Sequence, residues 1–140
     1  MDYLDTSVIV AALTNEAATG TVRAWLASRS INDLHISEWV VTEVSSALSM
    51  KVRTGALTAD RRTARLAYFR RMMVETFTVL PVVSFHFQAA ARLADQHHLG
   101  LRGGDALHMA LATDVGATLF TLDKRLAEAG KQVGAAVHLL

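Results

Sequence analysis

Short apolar runs alternate with longer helical patterns along the whole chain, and this alternation limits the fold more than any other feature. The runs cover residues 1–4, 34–36, 78–83, 118–122 and 135–140. They are too short for buried helices and have the length of strands. Between them, apolar residues recur at helical spacing. Val22, Trp25 and Leu26 predict a helix over 16–28, and Val40, Val41, Val44, Ala47 and Leu48 predict one running to Arg53, with Ser37 as its cap and Gly55 as its stop. Thr58 caps a further helix, with Leu66, Phe69, Met73 and Phe77 as its stripe. Ser84 caps the next, which reaches His98 through Phe87, Ala90, Ala91 and Ala94. Thr6 to Leu13 fits one or two helical turns, Gly104 opens a helix ending near Gly116, and a short helix follows Asp123 to Ala129, stopped by Gly130. Strands joined through helices need crossover connections, so the expected class is α/β, with a parallel sheet covered by helices on both faces.

At 140 residues the chain has the length of one domain over 1–140 and can bury a substantial core. Its 51% hydrophobic content, single Pro and eight Gly argue against disorder. With no Cys, disulfides and thiolate metal sites are excluded. No apolar run has the length of a membrane span, and the start has no basic stretch leading into one, so the expected location is the cytoplasm. A net charge of +1 neither demands nor forbids a nucleic-acid partner.

Only 13 residues are acidic, so their placement carries information. Asp5 and Asp123 follow the first and fourth strand runs. Both therefore fall at the carboxyl edge of the expected sheet, where ligands bind. Glu43 borders the core-facing stripe of its helix, and Asp105 follows Gly103 and Gly104. Gathered carboxylates repel one another unless a hard cation holds them. A divalent-metal site for phosphodiester cleavage is the chemistry that such a set suggests.

Simpler readings exist for each residue. Asp5, Asp105 and Asp123 each stand where a helix cap is needed, and Thr6 or Ser7 can cap in place of Asp5. Glu38 lies at a helix entrance, where an acid complements the macrodipole, so Glu43 is preferred over it for the site. His108, one turn after Asp105, is either a core-edge histidine or a ligand or phosphate contact. Arg61, Arg65, Tyr68 and Met72 share one helix face, which is either a solvated face, a subunit contact or a strip for RNA, while Arg70 and Arg71 fall elsewhere on the wheel. His97 and His98 sit at a helix C-terminus and receive no function.

Taken in order, Leu4-Asp5-Thr6-Ser7, Ser37 through Glu43, Arg102 through His108 and Thr121-Leu122-Asp123 make the chain resemble the PIN-domain ribonucleases, and within them the VapC toxins of type II toxin–antitoxin systems. The resemblance covers essentially the whole chain. It implies a three-layer α/β/α fold with a central parallel sheet. It implies that Asp5, Glu43, Asp105 and Asp123 form an acidic quartet for Mg²⁺ or Mn²⁺. Asp5, Asp105 and Asp123 would be the metal ligands, and Glu43 would orient a water. Thr6, Ser7 and Thr121 fall at supporting positions. It further implies an RNA substrate, a homodimer and a VapB-like antitoxin. One departure stands out: Lys124-Arg125-Leu126 follows Asp123 where many relatives carry another acid, so the ligand set for a second cation is thinner.

Two other functions compete. An Asp after a first strand also serves phosphotransferases that pass through an aspartyl-phosphate, but these place a second Asp where this chain has Ser7. The other is a binding module that keeps the fold without the chemistry, supported only by the missing acid after Asp123.

Overall fold

Each apolar run becomes a strand in the computed structural model, which describes residues 1–140. The strands are β1 (Asp2–Leu4), β2 (Leu34–Ser37), β3 (Thr78–Leu80), β4 (Thr118–Thr121) and β5 (Val137–Leu139). The helices are α1 (Thr6–Leu13), α2 (Thr19–Ala27), α3 (Glu38–Arg53), α4 (Ala59–Glu75), α5 (Ser84–Ala94), α6 (Gly103–Asp114) and α7 (Lys124–Val133). The sheet order is β3-β2-β1-β4-β5, and every neighbouring pair is parallel. Helices flank it in a three-layer α/β/α arrangement.

The order of the strands places the site. From β1 the chain steps outward to β2 and β3, then crosses back to lay β4 on the other side of β1. Connections leave β1 and β4 in opposite directions, and this opens a crevice beyond their carboxyl ends. Asp2, Tyr3 and Leu4 pair with Thr118, Leu119 and Phe120, so the residues after Leu4 and after Thr121 emerge side by side.

The core wraps around α1. Val8 through Leu13 are all buried, so beyond Thr6 and Ser7 at its start this helix has no polar face. A helix that is apolar all round belongs inside a protein, and α2, α3, α4 and β4 all pack on it. Each large apolar side chain buried there contributes roughly 1.5–3 kcal/mol. This packing fixes where α1 begins, and hence where Asp5 sits.

Several element ends differ from expectation for local reasons. The third strand stops at Leu80 because Pro81 has no N–H for the ladder. Ser84 does not cap α5. Val83 is the cap residue, and its N–H donates to His86 Nδ1 at 3.1 Å. That ring nitrogen must therefore be unprotonated, so Nε2 carries the proton toward Asp114 Oδ2, 3.0 Å away on α6. The helix ends at Ala94 instead of His98; a 3₁₀ turn at His97–Leu99 follows, closed by Gly100. Phe87 is 54% exposed and lies outside the core, whereas Ala90 is buried. α2 begins at Thr19, not near 16, and α6 starts one residue earlier than expected, at Gly103.

Gly130 does not stop the last helix. It lies inside α7, which ends at Gly134 in the left-handed conformation (φ +73°). A Cβ on Gly130 would stand 2.2 Å from Val137 Cγ2, so the glycine is there to let β5 approach the helix. No helix is long and apolar enough to cross a membrane.

Candidate active site

Asp5 extends β1 by one residue, its N–H donating to Phe120 O at 3.1 Å. It then caps α1, with Oδ1 accepting from Val8 N–H at 3.2 Å. Thr6 and Ser7 therefore do not replace it as the cap. Instead the Ser7 hydroxyl donates to Asp5 Oδ1 at 2.5 Å, and the Thr121 hydroxyl donates to Oδ2 at 2.5 Å. Each hydroxyl is itself held by a backbone N–H: Leu122 donates to Ser7 and Asp123 donates to Thr121, both at 2.9 Å. The carboxylate is only 4% exposed and is fixed by the ends of both central strands.

Asp123 caps α7, its Oδ1 accepting from Arg125 N–H at 2.7 Å and Leu126 N–H at 3.3 Å. Asp105 is not the cap of α6. It is the third residue of that helix, and its Oδ2 accepts from Arg102 N–H at 3.4 Å. Glu43 projects from α3. Its Oε2 accepts from the Thr6 hydroxyl and lies 2.7 Å from His108 Nε2. Glu38 is exposed and accepts from Val82 N–H at 3.4 Å, away from the other acids.

Asp5, Glu43, Asp105 and Asp123 line one cleft of about 270 Å³ with Thr6, Ser7 and His108, and Ser46, Ala47 and Met50 of α3 form its wall. The cleft opens at the β1–β4 crevice. A larger groove, about 590 Å³, lies between α1, α2 and α4 and holds Glu75 as its sole acid. Size therefore does not locate the chemistry. Tyr68 and Met72 line that groove, and Arg71, expected elsewhere on the wheel, stacks over the Tyr68 ring at 5.2 Å. Arg61 and Arg65 line neither the groove nor the acidic cleft.

Three residues of the site had no such part in the sequence reading. Tyr3 is fully buried and bonds to Ser37 and His108 beneath the cleft. Ser37, read only as a cap, is both the cap of α3 and the partner of Tyr3. Gly104 lies against Glu43, and a Cβ there would come 2.8 Å from Oε1. A tyrosine in a central strand is a usable signal, because its hydroxyl needs a polar partner once buried.

A PIN domain family model matches residues 3–132. The chain belongs to the PIN domain family. No curated protein matches it by sequence. Among solved structures, this PIN domain is similar to FitAcB from Neisseria gonorrhoeae, with a TM-score of 0.77 and 22% identity over 98% of this chain and 96% of the other. It is similar to VapC20 of Mycobacterium tuberculosis, a sarcin–ricin-loop-cleaving toxin, with a TM-score of 0.75 and 20% identity over 93% and 95%. It is also similar to VapBC2 from Rickettsia felis bound to a promoter DNA fragment, with a TM-score of 0.66 and 16% identity over 99% and 98%. At these identities the likeness is one of fold.

The charges in the PIN-domain cleft are unequal. Burial pushes the Asp105 carboxyl above the ordinary range, the Arg102 N–H partly offsets this, and the negative charges of Asp123 and Asp5 push it further up. Burial also pushes Glu43 up, but the hydrogen bond from His108 outweighs it, helped by Thr6 and Trp39, so Glu43 lies below its ordinary value. Burial raises the Tyr3 phenol, which stays an O–H donor at any working pH. The donor set suits a hard divalent cation: all oxygens, several carboxylates, and one acid destabilised by its neighbours' charge. No three of the acidic or imidazole groups close into a ready coordination shell. Mg²⁺ keeps several of its waters and needs only one or two direct carboxylates, so an open cleft of this kind fits it.

Proposed function

We propose that this PIN domain is a VapC-like toxin, a metal-dependent endoribonuclease that hydrolyses RNA phosphodiester bonds and is neutralised by a VapB-like antitoxin. The observation carrying this reading is the convergence of four carboxylates, from four separate segments, on the cleft at the β1–β4 switch point. Asp5, Asp105 and Asp123 are the residues that would hold Mg²⁺ or Mn²⁺. When bound, the cation supplies neutralisation of phosphoryl charge and a lowered pKa for water.

The chain's own groups do the rest. Oε2 of Glu43 is taken up by Thr6 and His108, leaving Oε1 as the oxygen that accepts a hydrogen bond from the attacking water. Glu43 is held ionised, so it aligns the water more than it retains its proton. Thr121 and Ser7 keep Asp5 at one orientation, which spares reorganisation during the reaction.

The reading extends to a single PIN domain over 1–140, a homodimer and a cytoplasmic location. Its support for an antitoxin partner is likeness of fold to VapBC2 and FitAcB, an argument from analogy. RNA as substrate draws on the same kind of likeness to VapC20.

The deciding experiment is cleavage of RNA by the purified protein and by Asp5→Asn, with Mg²⁺ or Mn²⁺ and with EDTA. Cleavage should need the metal and fall at least about 100-fold in the variant, the scale expected when a metal's charge stabilisation is lost. Cleavage that survives EDTA, or is unchanged in Asp5→Asn, sinks the proposal. Trapping of phosphorylated Asp5 would point to a phosphotransferase. Tight antitoxin binding without cleavage of any RNA offered would point to a binding module.

A further inference from the structure

Beneath the cleft runs a chain of buried hydrogen bonds that begins and ends on the same helix. Val40 N–H donates to Ser37 Oγ at 3.4 Å. Ser37 Oγ lies 2.8 Å from the Tyr3 hydroxyl, which lies 3.0 Å from His108 Nδ1. His108 Nε2 lies 2.7 Å from Glu43 Oε2, less than two turns along α3 from Ser37. Tyr3 and Ser37 are 0% exposed, and His108 is 3% exposed. Burial of this kind requires every donor to find an acceptor.

Counting hydrogens fixes the direction of the chain. The Glu43 carboxylate only accepts, so His108 Nε2 must carry a proton. If Nδ1 were also protonated, it would donate to the Tyr3 hydroxyl, and Tyr3 would then donate to Ser37. The Ser37 hydrogen would be left without an acceptor, because its other contact is the Val40 N–H, itself a donor. With Nδ1 bare, the sequence closes: Ser37 donates to Tyr3, Tyr3 donates to His108, and His108 donates to Glu43.

We infer that Tyr3 and His108 are positioning residues: Tyr3 locks His108 as the neutral Nε2–H tautomer, and that ring in turn aims Glu43 into the cleft. The role of Tyr3 is therefore not only packing. Removing its hydroxyl leaves Nδ1 without its donor while Glu43 still holds the proton on Nε2, so the ring is free to turn or to take a second proton, and Glu43 loses its fixed partner. The catalytic half of this inference rests on the proposed nuclease reading; the tautomer half does not.

The test uses Tyr3→Phe, which keeps the ring, with His108→Gln and His108→Leu as a second pair. Nitrogen-15 NMR of labelled histidine in the metal-free protein reads the tautomer directly. The expected result is a neutral, Nε2-protonated His108 in the parent and, in Tyr3→Phe, an Nδ1 signal that has moved because that nitrogen has lost its hydrogen-bond donor or gained a proton. In cleavage of a mixed-sequence fluorogenic RNA oligonucleotide, Tyr3→Phe should lower kcat about 10–100-fold with KM little changed, the loss typical when a partner that orients a site group is removed. Gln retains an N–H near the Nε2 position, so His108→Gln should keep more activity than His108→Leu. A cationic or Nδ1-protonated His108 in the parent overturns the inference. So does a Tyr3→Phe protein whose Nδ1 signal is unchanged, even if its stability falls. If the parent cleaves no RNA, the nuclease reading fails while the NMR still decides the relay.

Discussion

Asp5 uses one carboxylate for three tasks: it caps α1, it links β1 to β4 through Thr121, and it faces the cleft. The neighbouring acids differ from it in their electrostatics, and this gives a pH signature. Asp105 has a raised value from burial and from the charges of Asp123 and Asp5. Its folded form holds the proton more tightly than the unfolded chain does, so its contribution to stability falls as pH rises through that value. A cation must displace that proton. The rise in Tm caused by Mn²⁺ should therefore be larger at about pH 7.5 than at about pH 5, reaching roughly 5–10 °C at a hundredfold excess over Kd. An equal Tm rise at both pH values would count against Asp105 as a ligand. Glu43 has the opposite sign: its value is lowered, so its stabilising part is present above the unfolded value and is lost as pH falls through the folded one.

Two glycines show how elements meet, and they separate stability from site geometry. At Gly104 a new Cβ would press on the tip of the flexible Glu43 side chain and touch the Trp39 indole at ordinary contact distance. Gly104→Ala should leave Tm unchanged or raise it, since Ala favours a helix by about 1 kcal/mol, while displacing Glu43 and cutting cleavage by roughly tenfold. At Gly130 the Cβ would collide with Val137 on β5, so Gly130→Ala should cost about 1–3 kcal/mol with activity per folded molecule intact. Thermal melts and turnover measured on both variants check the contrast, and matching behaviour would refute it. Much of this was legible from the residues. The order of strands and helices followed from apolar spacing, and Asp5 and Asp123 followed from that order. The stop at Gly130 was misplaced because a glycine needed for close approach of β5 looks, in one dimension, the same as one needed for a left-handed turn. Phe87 was misplaced because helical spacing does not say which of two adjacent faces is covered. Tyr3 and Gly104 were hidden because their partners, His108 and Glu43, lie far away along the chain.

At the scale of the molecule, the fold and the cleft share the same bonds. The contact between Thr121 and Asp5 spans 116 positions and closes the crevice that the crossover from β3 to β4 creates. Thr121→Val should therefore weaken both together, lowering stability by about 1–3 kcal/mol and reducing cleavage. Loss of one without the other would show that the two are separable. The proposed homodimer predicts a sedimenting mass of twice 15.2 kDa, and a monomer at assay concentrations would remove it from the proposal. The same long span has a consequence for synthesis. Asp5 is made 116 residues before Thr121. Until β4 has been translated and docked beside β1, the early acid has no partner strand and the cleft has no second wall. Under the proposed function, a nascent chain is therefore harmless to the message being read to make it until that strand has docked.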